Sequence, residues 1–582
     1  MDTPSLIALV AIALVGVVSA VIGSLGVRVA RSTSDFLVAS RTVGTIPNAA
    51  AISGEYLSAA TFLGVAGLVL REGTDGLWYP IAFTAGYLAL LLFVAAPLRR
   101  SGAYTVPDFA ESRLGPGPLR AVCTAFVLLI GTLYLLPQLQ GAGLSLTTLT
   151  GLPSWAGVLG AGVLVVLTVV AGGMRSITFV QAFQFWLKLT ALLVPTVVAL
   201  GFFFAHDGAL DRPTAPVFPA ETTIDVRTPV RLEVAEPVEL TATGTVDGVP
   251  VAAPITWAPG VHEVAAGATL RFPAGEPVPV PAGSPSTDRA WLDPLSGPDG
   301  ERLLEIYSVL TAGILGTMGL PHVLVRFYTN TDGRAARRTT VVVLAMIGGT
   351  FVLSVLLGLV SRLFTPQLLV DGRTDGAVLL VPTAVLGAGW PGWLLGGLVA
   401  AGAAAAFLST SSGLVVSLAG VLFTDVLRGR FRDFRFAAVL SAVLPIALAL
   451  SVTRLDFSQT VPLVFAVAAS TFCPMLVLGI WWRGLTSAGA IAGMCVGGVT
   501  SLVGVVYTLF LIDREGILGV LLSRPAAVTA PLAFLTMILV SRRTRSRIPL
   551  DANRTLLRLH APERLGLDHD RAEQQPSAGA QA

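Results

Sequence analysis

Pro47-Asn48-Ala49-Ala50-Ala51-Ile52-Ser53-Gly54-Glu55 interrupts an apolar segment, roughly Gly44 to Leu70, that is long enough to cross a bilayer. A proline, polar side chains, a glycine and a glutamate inside such a segment leave backbone groups without helical partners. Hydrocarbon does not tolerate that, so the broken backbone must be buried in protein or line a watery cavity. Freed carbonyls can hold a cation, and half-helix ends can face an anion. A kinked spanning helix with small residues for packing explains the same stretch, and taken alone it does not separate the two.

The rest of the chain supplies the context. Of 582 residues, 54% are hydrophobic and 13% charged, and the mean hydropathy is +0.77. These values belong to a polytopic membrane protein with the lipid bilayer as its surroundings. A net charge of +3 does not point to nucleic acid as a partner. Cys123, Cys473 and Cys495 all fall in apolar runs and read as small buried hydrophobes. No nucleophile–base pair or metal-ligand spacing appears, so no enzyme and no bound cofactor is expected.

About thirteen spanning helices are expected, and arginine carries the topology signal because Lys188 is the single lysine. Arg28 and Arg31, Arg99 and Arg100, Arg334 to Arg338, Arg428 to Arg435 and Arg542 to Arg547 fall on one side if the N-terminus is outside and the C-terminus cytoplasmic. The division follows: an extra N-terminal helix and loop (1–43), five helices (44–204), an insert (205–300), five more helices (301–484), two C-terminal helices (485–547) and a cytoplasmic tail (548–582). The insert holds thirteen Asp and Glu against five Arg, which places it outside. Its alternation at Val230-Arg231-Leu232-Glu233-Val234 and its Asp247-Gly248 turn predict a small β-rich module. Lying where a loop is needed anyway, it is expected to be dispensable for transport.

An internal symmetry links the two sets of five. The second also opens on an interrupted span, Gly316-Thr317-Met318-Gly319-Leu320-Pro321-His322. Because five is odd, the second set enters the membrane from the opposite side. Such an inverted repeat places a binding site at midplane, where the two breaks meet. A further polar stretch, Ala403-Ala404-Ala405-Ala406-Phe407-Leu408-Ser409-Thr410-Ser411-Ser412-Gly413, lies midway along its span and serves either close packing or a site.

Ile52-Ser53-Gly54-Glu55-Tyr56-Leu57-Ser58-Ala59, Gly319-Leu320-Pro321-His322-Val323-Leu324-Val325-Arg326-Phe327 and the run from Phe465 to Trp482 resemble the sodium:solute symporter family, most nearly its cation–acetate (monocarboxylate) branch. The resemblance implies a leucine-transporter-like core of 5+5 helices. It also implies sodium as coupling ion, with protons possible, held by the carbonyls of Ala49, Ile52 and Ala406 and the hydroxyls of Ser409 and Thr410. Several members of that family carry an aspartate where Gln181 stands, and a second ion loses its carboxylate here.

Other polar residues inside spans have competing readings. Glu55 is a proton relay, a substrate contact or a paired helix-end charge. Lys188 snorkels or pairs, His322 caps its break, and Gln138 and Gln140 line a cavity or join helices. Asp108 and Asp425 are expected to be solvated at helix ends. Ser53, Gly54, Thr317 and Gly319 are the candidates for holding a substrate carboxylate. The expected protein is a bacterial plasma-membrane symporter of acetate, propionate, pyruvate or another small solute, the rival being a passive channel or solute receptor on the same fold. The sequence sets no oligomeric state.

Overall fold

The computed structural model describes residues 2–27, 43–205, 214–226, 228–295, 299–427, 434–451, 457–510, 516–562 and 565. Arg28, Arg31 and the basic run 428–433 lie outside these residues. Eleven described helices are long and apolar enough to cross a membrane, or twelve if the bent pair Glu301–Gly319 and Pro321–Phe327 is one span. The expectation of about thirteen counts 44–70 and 78–98 separately. The tight turn Gly73–Leu77 joins their apolar parts, so Ala60–Phe93 forms one run of 34 residues.

A peripheral helix, α1 (Thr3–Val27), precedes the core. The first repeat consists of a broken span, α2 (Thr45–Tyr56) and α3 (Val65–Glu72), then α4 (Trp78–Phe93), α5 (Pro118–Thr150) and α6 (Ser154–Ala205). At about 1.5 Å per residue, the 52 residues of α6 reach roughly 78 Å, more than two bilayer cores. It accordingly contains two apolar spans, Ser154–Ala171 and Ser176–Ala205. The second repeat runs through α7 (Asp299–Gly319), α8 (Pro321–Phe327), α9 (Gly333–Phe364), α10 (Trp390–Val421), α11 (Phe434–Ser451) and the pair α12 (Phe457–Ser470) and α13 (Phe472–Trp481). Two further helices, α14 (Ser487–Phe510) and α15 (Ala526–Arg543), pack beside it.

Asp108 and Asp425 are not the solvated end charges expected. Arg120 bridges them, 2.9 Å from Asp108 and 2.5 Å from Asp425, and Thr124 donates to Asp425 at 2.7 Å. A lone carboxylate at the edge of an apolar bundle is costly, so a shared guanidinium is the stable solution.

The insert is a seven-stranded antiparallel sheet with strand order β1-β6-β3-β5-β2-β7, and β4 pairs with β3. Its strands are β1 (Thr222–Asp225), β2 (Val230–Val234), β3 (Val238–Val246), β4 (Val249–Trp257), β5 (Gly260–Val264), β6 (Thr269–Phe272) and β7 (Val280–Pro281). Asp247 and Gly248 turn β3 into β4 with φ of 49° and 75°, the signs a two-residue hairpin of this kind needs. His262 Nδ1 lies 2.8 Å from Asp247 Oδ2, and the Glu263 N–H donates to Asp247 Oδ1 at 2.7 Å. Partial burial works against the carboxylate, but these bonds outweigh it and hold Asp247 below its ordinary range. A depressed folded pKa stabilises the hairpin above the unfolded value of about 3.9, and that contribution disappears as pH falls through the folded one. Protection of the amides across residues 246–263, relative to their intrinsic exchange rates at each pH, should therefore fall in acid in the wild type, whereas Asp247→Asn should flatten that dependence.

The sheet does not hang free. Leu232, Leu240, Leu270 and Phe272 share one apolar core with Leu70 of α3 and with Leu368, Leu369, Val370 and Ala377 from the segment between α9 and α10. Trp291, fully buried, donates from Nε1 to the Leu70 carbonyl at 3.0 Å and lies under the Arg362 guanidinium at 5.0 Å. Arg362 in turn pairs with Asp288 at 3.0 Å. This is more than a connecting loop makes, and it argues against dispensability.

Candidate functional site at the two helix breaks

The first break lies later than the sequence suggests. Gly44 caps α2, so Pro47 occupies the first turn, where an amide hydrogen has no helical partner in any case. The helix continues to Tyr56 and opens at Leu57–Ala59, and the chain resumes as a wide turn, Ala60–Gly64, before α3. The second break is at Leu320, as the sequence predicts, with a 46° bend between α7 and α8.

Side chains from three other helices satisfy the opened backbone of the first break. Gln138 of α5 accepts from the Ala59 N–H at 3.0 Å. Ser409 and Thr410 of α10 donate to the carbonyls of Gly54 and Glu55, each at 2.6 Å. Lys188 of α6 donates to the Gly54 carbonyl, to the Leu57 carbonyl at 2.7 Å and to Ser409 Oγ at 2.9 Å. Three acceptors match the three hydrogens of an ammonium. Lys188 is 1% exposed, so its side chain is held at the break and does not snorkel to an interface.

Beside it lies a second buried assembly. Arg326 of α8 pairs with Glu55 at 2.5 Å, donates from another nitrogen to Gln181 Oε1 and donates to Thr178 at 3.1 Å. Gln181 Nε2 donates to the Ser409 carbonyl at 2.7 Å. Glu55 is thus a paired charge joining the two broken helices, one of the readings its sequence position left open. Gly413 of α10 permits this closeness, because a Cβ there would enter the Glu55 carboxylate. Gly413→Ala should cost about 1–3 kcal/mol by overpacking and reduce uptake. Thermal unfolding and transport of the purified variant check both, and a fully active variant of unchanged stability would show that the carboxylate can move.

The candidate ligand set for sodium is brought together in part. Ser409, Thr410 and the Ala406 carbonyl are at the break, the last accepting from Ser409 at 3.2 Å. Ala49 and Ile52 lie inside α2, where their carbonyls serve the helix ladder, and Gly54, Glu55 and Leu57 are the residues that face Ser409, Thr410 and Lys188. Of the five candidate oxygens one, Ser409 Oγ, already accepts from Lys188, at 2.9 Å. Sodium binds through oxygen lone pairs, and the other two Lys188 hydrogens go to the Gly54 and Leu57 carbonyls, outside the candidate set. A second unit charge about 4 Å away would be repelled by about 4 kcal/mol at an effective dielectric of about 20.

The candidate substrate residues also divide. Thr317 exchanges a hydrogen bond with the Tyr56 hydroxyl at 3.0 Å. Ser53 faces Met346 of α9 at 3.7 Å. Gly54 and Gly319 are contact points where a Cβ would strike the carbonyls of Gln181 and Ala468, so they serve helix packing. His322 does not cap its break through its ring: neither ring nitrogen has a hydrogen-bond partner, and the ring packs on Tyr134 at 5.1 Å. Beside the first break lies a cleft of about 390 Å³ including its open mouth, lined by Tyr56, Thr61, Tyr79, Phe83, Tyr134 and Phe465 among others. Sequence reasoning missed this aromatic lining and the role of Arg326. Tyrosines and phenylalanines scattered over four helices carry no common spacing, although Arg326 as a charge within an apolar segment was a usable signal.

Two broken helices, each opening a set of five spans, give the chain the leucine-transporter fold. The fold is shared with a Na+-coupled sialic acid symporter solved in a substrate-bound outward-open state (TM-score 0.60, 12% identity, covering 92% of this chain and 98% of that one). It is also shared with Mhp1, a nucleobase-cation-symport-1 family transporter solved in a closed conformation (TM-score 0.52, 12% identity, 91% and 99%). The chain belongs to the Sodium:solute symporter family, whose profile matches residues 36–246 and 292–497. It is 30% identical to the uncharacterized symporter YwcA of Bacillus subtilis over 524 residues (87% of this chain, 88% of that one). It is 29% identical to an uncharacterized symporter of Cupriavidus necator (89% of each). It is a membrane transporter and not an enzyme.

Proposed function

We propose that the protein is a secondary active symporter that moves a small monocarboxylate such as acetate, propionate or pyruvate, together with a cation, into a bacterial cell by alternating access. The observation that carries this reading is the composition of the core. Glu55 and Arg326 cancel as a pair, and Lys188 leaves one positive charge beside the break. An anion of charge −1 entering the neighbouring cleft would neutralise it. The cleft is small and mostly apolar, which suits a short acyl chain. Thr61 and the tyrosine hydroxyls at its wall can donate to a carboxylate. The bundle end that carries the acidic insert is taken as extracytoplasmic, following the arginine distribution.

Uptake of labelled short-chain acids by proteoliposomes, with sodium and proton gradients imposed one at a time, tests the reading. Concentrative uptake of at least one acid is expected under one gradient. Equilibration without accumulation under every gradient would favour a passive pathway, and accumulation of neutral solutes alone would remove the monocarboxylate. Tyr56→Phe removes the hydroxyl bonded to Thr317 and should raise the apparent KM several-fold at unchanged protein level. An unchanged KM would take that hydroxyl out of the substrate's path.

A further inference from the structure

We propose that the Lys188 ammonium is the resident cation of the α2–α10 site, standing where a sodium ion would otherwise bridge the broken helix to Ser409. The proposal deepens the symporter reading by saying which cation this site does not take. Three observations carry it. Lys188 Nζ touches two carbonyls freed by the break, Gly54 and Leu57, and the hydroxyl of Ser409 on the facing helix. Those groups lie on two different elements, so the ammonium makes the same kind of bridge that a bound ion makes. The side chain is fully enclosed, and Glu55 of α2 is engaged by Arg326 of α8 and not by Lys188. Gln181, the nearest polar side chain of α6 in this cluster, is neutral and already bonded to Arg326 and to the Ser409 carbonyl. The carboxylate of this cluster, Glu55, is held by Arg326 through Oε2, while its Oε1 makes no hydrogen bond.

A tethered cation differs from a free one in a measurable way. It cannot be withdrawn by removing sodium, but it can be removed by substitution, which leaves a cage of oxygens without a charge. The experiment uses full-length protein in detergent, with thermal unfolding followed in sodium, potassium or choline chloride at equal ionic strength. Wild type, Lys188→Ala and Lys188→Met are compared, the methionine filling the space without donating. The wild type is expected to unfold at the same temperature in all three salts. Lys188→Ala, which opens room for an ion, is expected to be destabilised and to regain several degrees in sodium alone, whereas Lys188→Met is expected to be destabilised without regaining it.

A sodium-specific shift in the wild type that Ser409→Ala abolishes would overturn the proposal. So would a Lys188→Ala protein that folds and ignores sodium, since the ammonium would then not occupy an ion's place. A wild-type shift that survives Ser409→Ala would put sodium elsewhere and leave this cage to Lys188, as proposed. Because the readout is stability, the result stands whether or not any monocarboxylate is taken up. Failure of the acid panel under every gradient would sink the substrate reading alone.

Discussion

Arg326→Met is expected to produce the largest loss among single substitutions in the core, about 3–5 kcal/mol of stability and the whole of transport. The reason is the state of the group left behind. Glu55 is 1% exposed and has Arg326 as its ion-pair partner at 2.5 Å, so removing the guanidinium strands a carboxylate amid apolar helices. Gln181 and Thr178 lose their donor at the same time. Joint replacement should behave differently. Glu55→Leu with Arg326→Met removes both charges and should recover much of the stability while leaving transport absent. Unfolding temperatures of the single and double variants, measured beside uptake, separate the two effects. A single variant that melts with the wild type would mean that the pair is solvated in the membrane-embedded protein.

Trp291→Ala should cost about 3–5 kcal/mol and uncouple the insert from the bundle. The indole is fully buried, donates to the Leu70 carbonyl and sits beneath Arg362, whose other contact is Asp288. Leu70 belongs to α3, the second half of the first broken span, and the same apolar core reaches Leu368 and Leu369 just after α9. Releasing the indole therefore frees the far end of the broken span that carries the first break. Limited proteolysis within residues 205–300 should become faster in the variant, and uptake should fall with it. Faster cleavage with full uptake would restore the expectation of a dispensable insert.

How much the chain announces depends on the range of the interaction involved. Membrane class follows from the apolar runs, and the inverted repeat follows from two Gly/Pro-interrupted segments at matching places in two sets of five. The Asp247-Gly248 hairpin follows because its backbone signs are a local property of two residues. All of these are written within a window of about twenty residues, so neighbouring side chains suffice to specify them. Ser409 and Thr410 were likewise legible, as hydroxyls in a span that needed some reason to be polar.

The tertiary structure decided the register and the electrostatics. Pro47 is a visible breaker, yet it begins the helix, and the true break at Leu57–Ala59 exists because Gln138, Lys188, Ser409 and Thr410 from three other helices accept or supply its hydrogen bonds. Residues 79 to 355 positions apart make those bonds, and no local pattern encodes them. Lys188 read as a snorkelling or paired charge is, in three dimensions, bound to the backbone of the break. In hydrocarbon a buried charge takes whatever partners the fold brings within reach, so its role is fixed by the packing of α2, α6 and α10 and not by its neighbours in sequence.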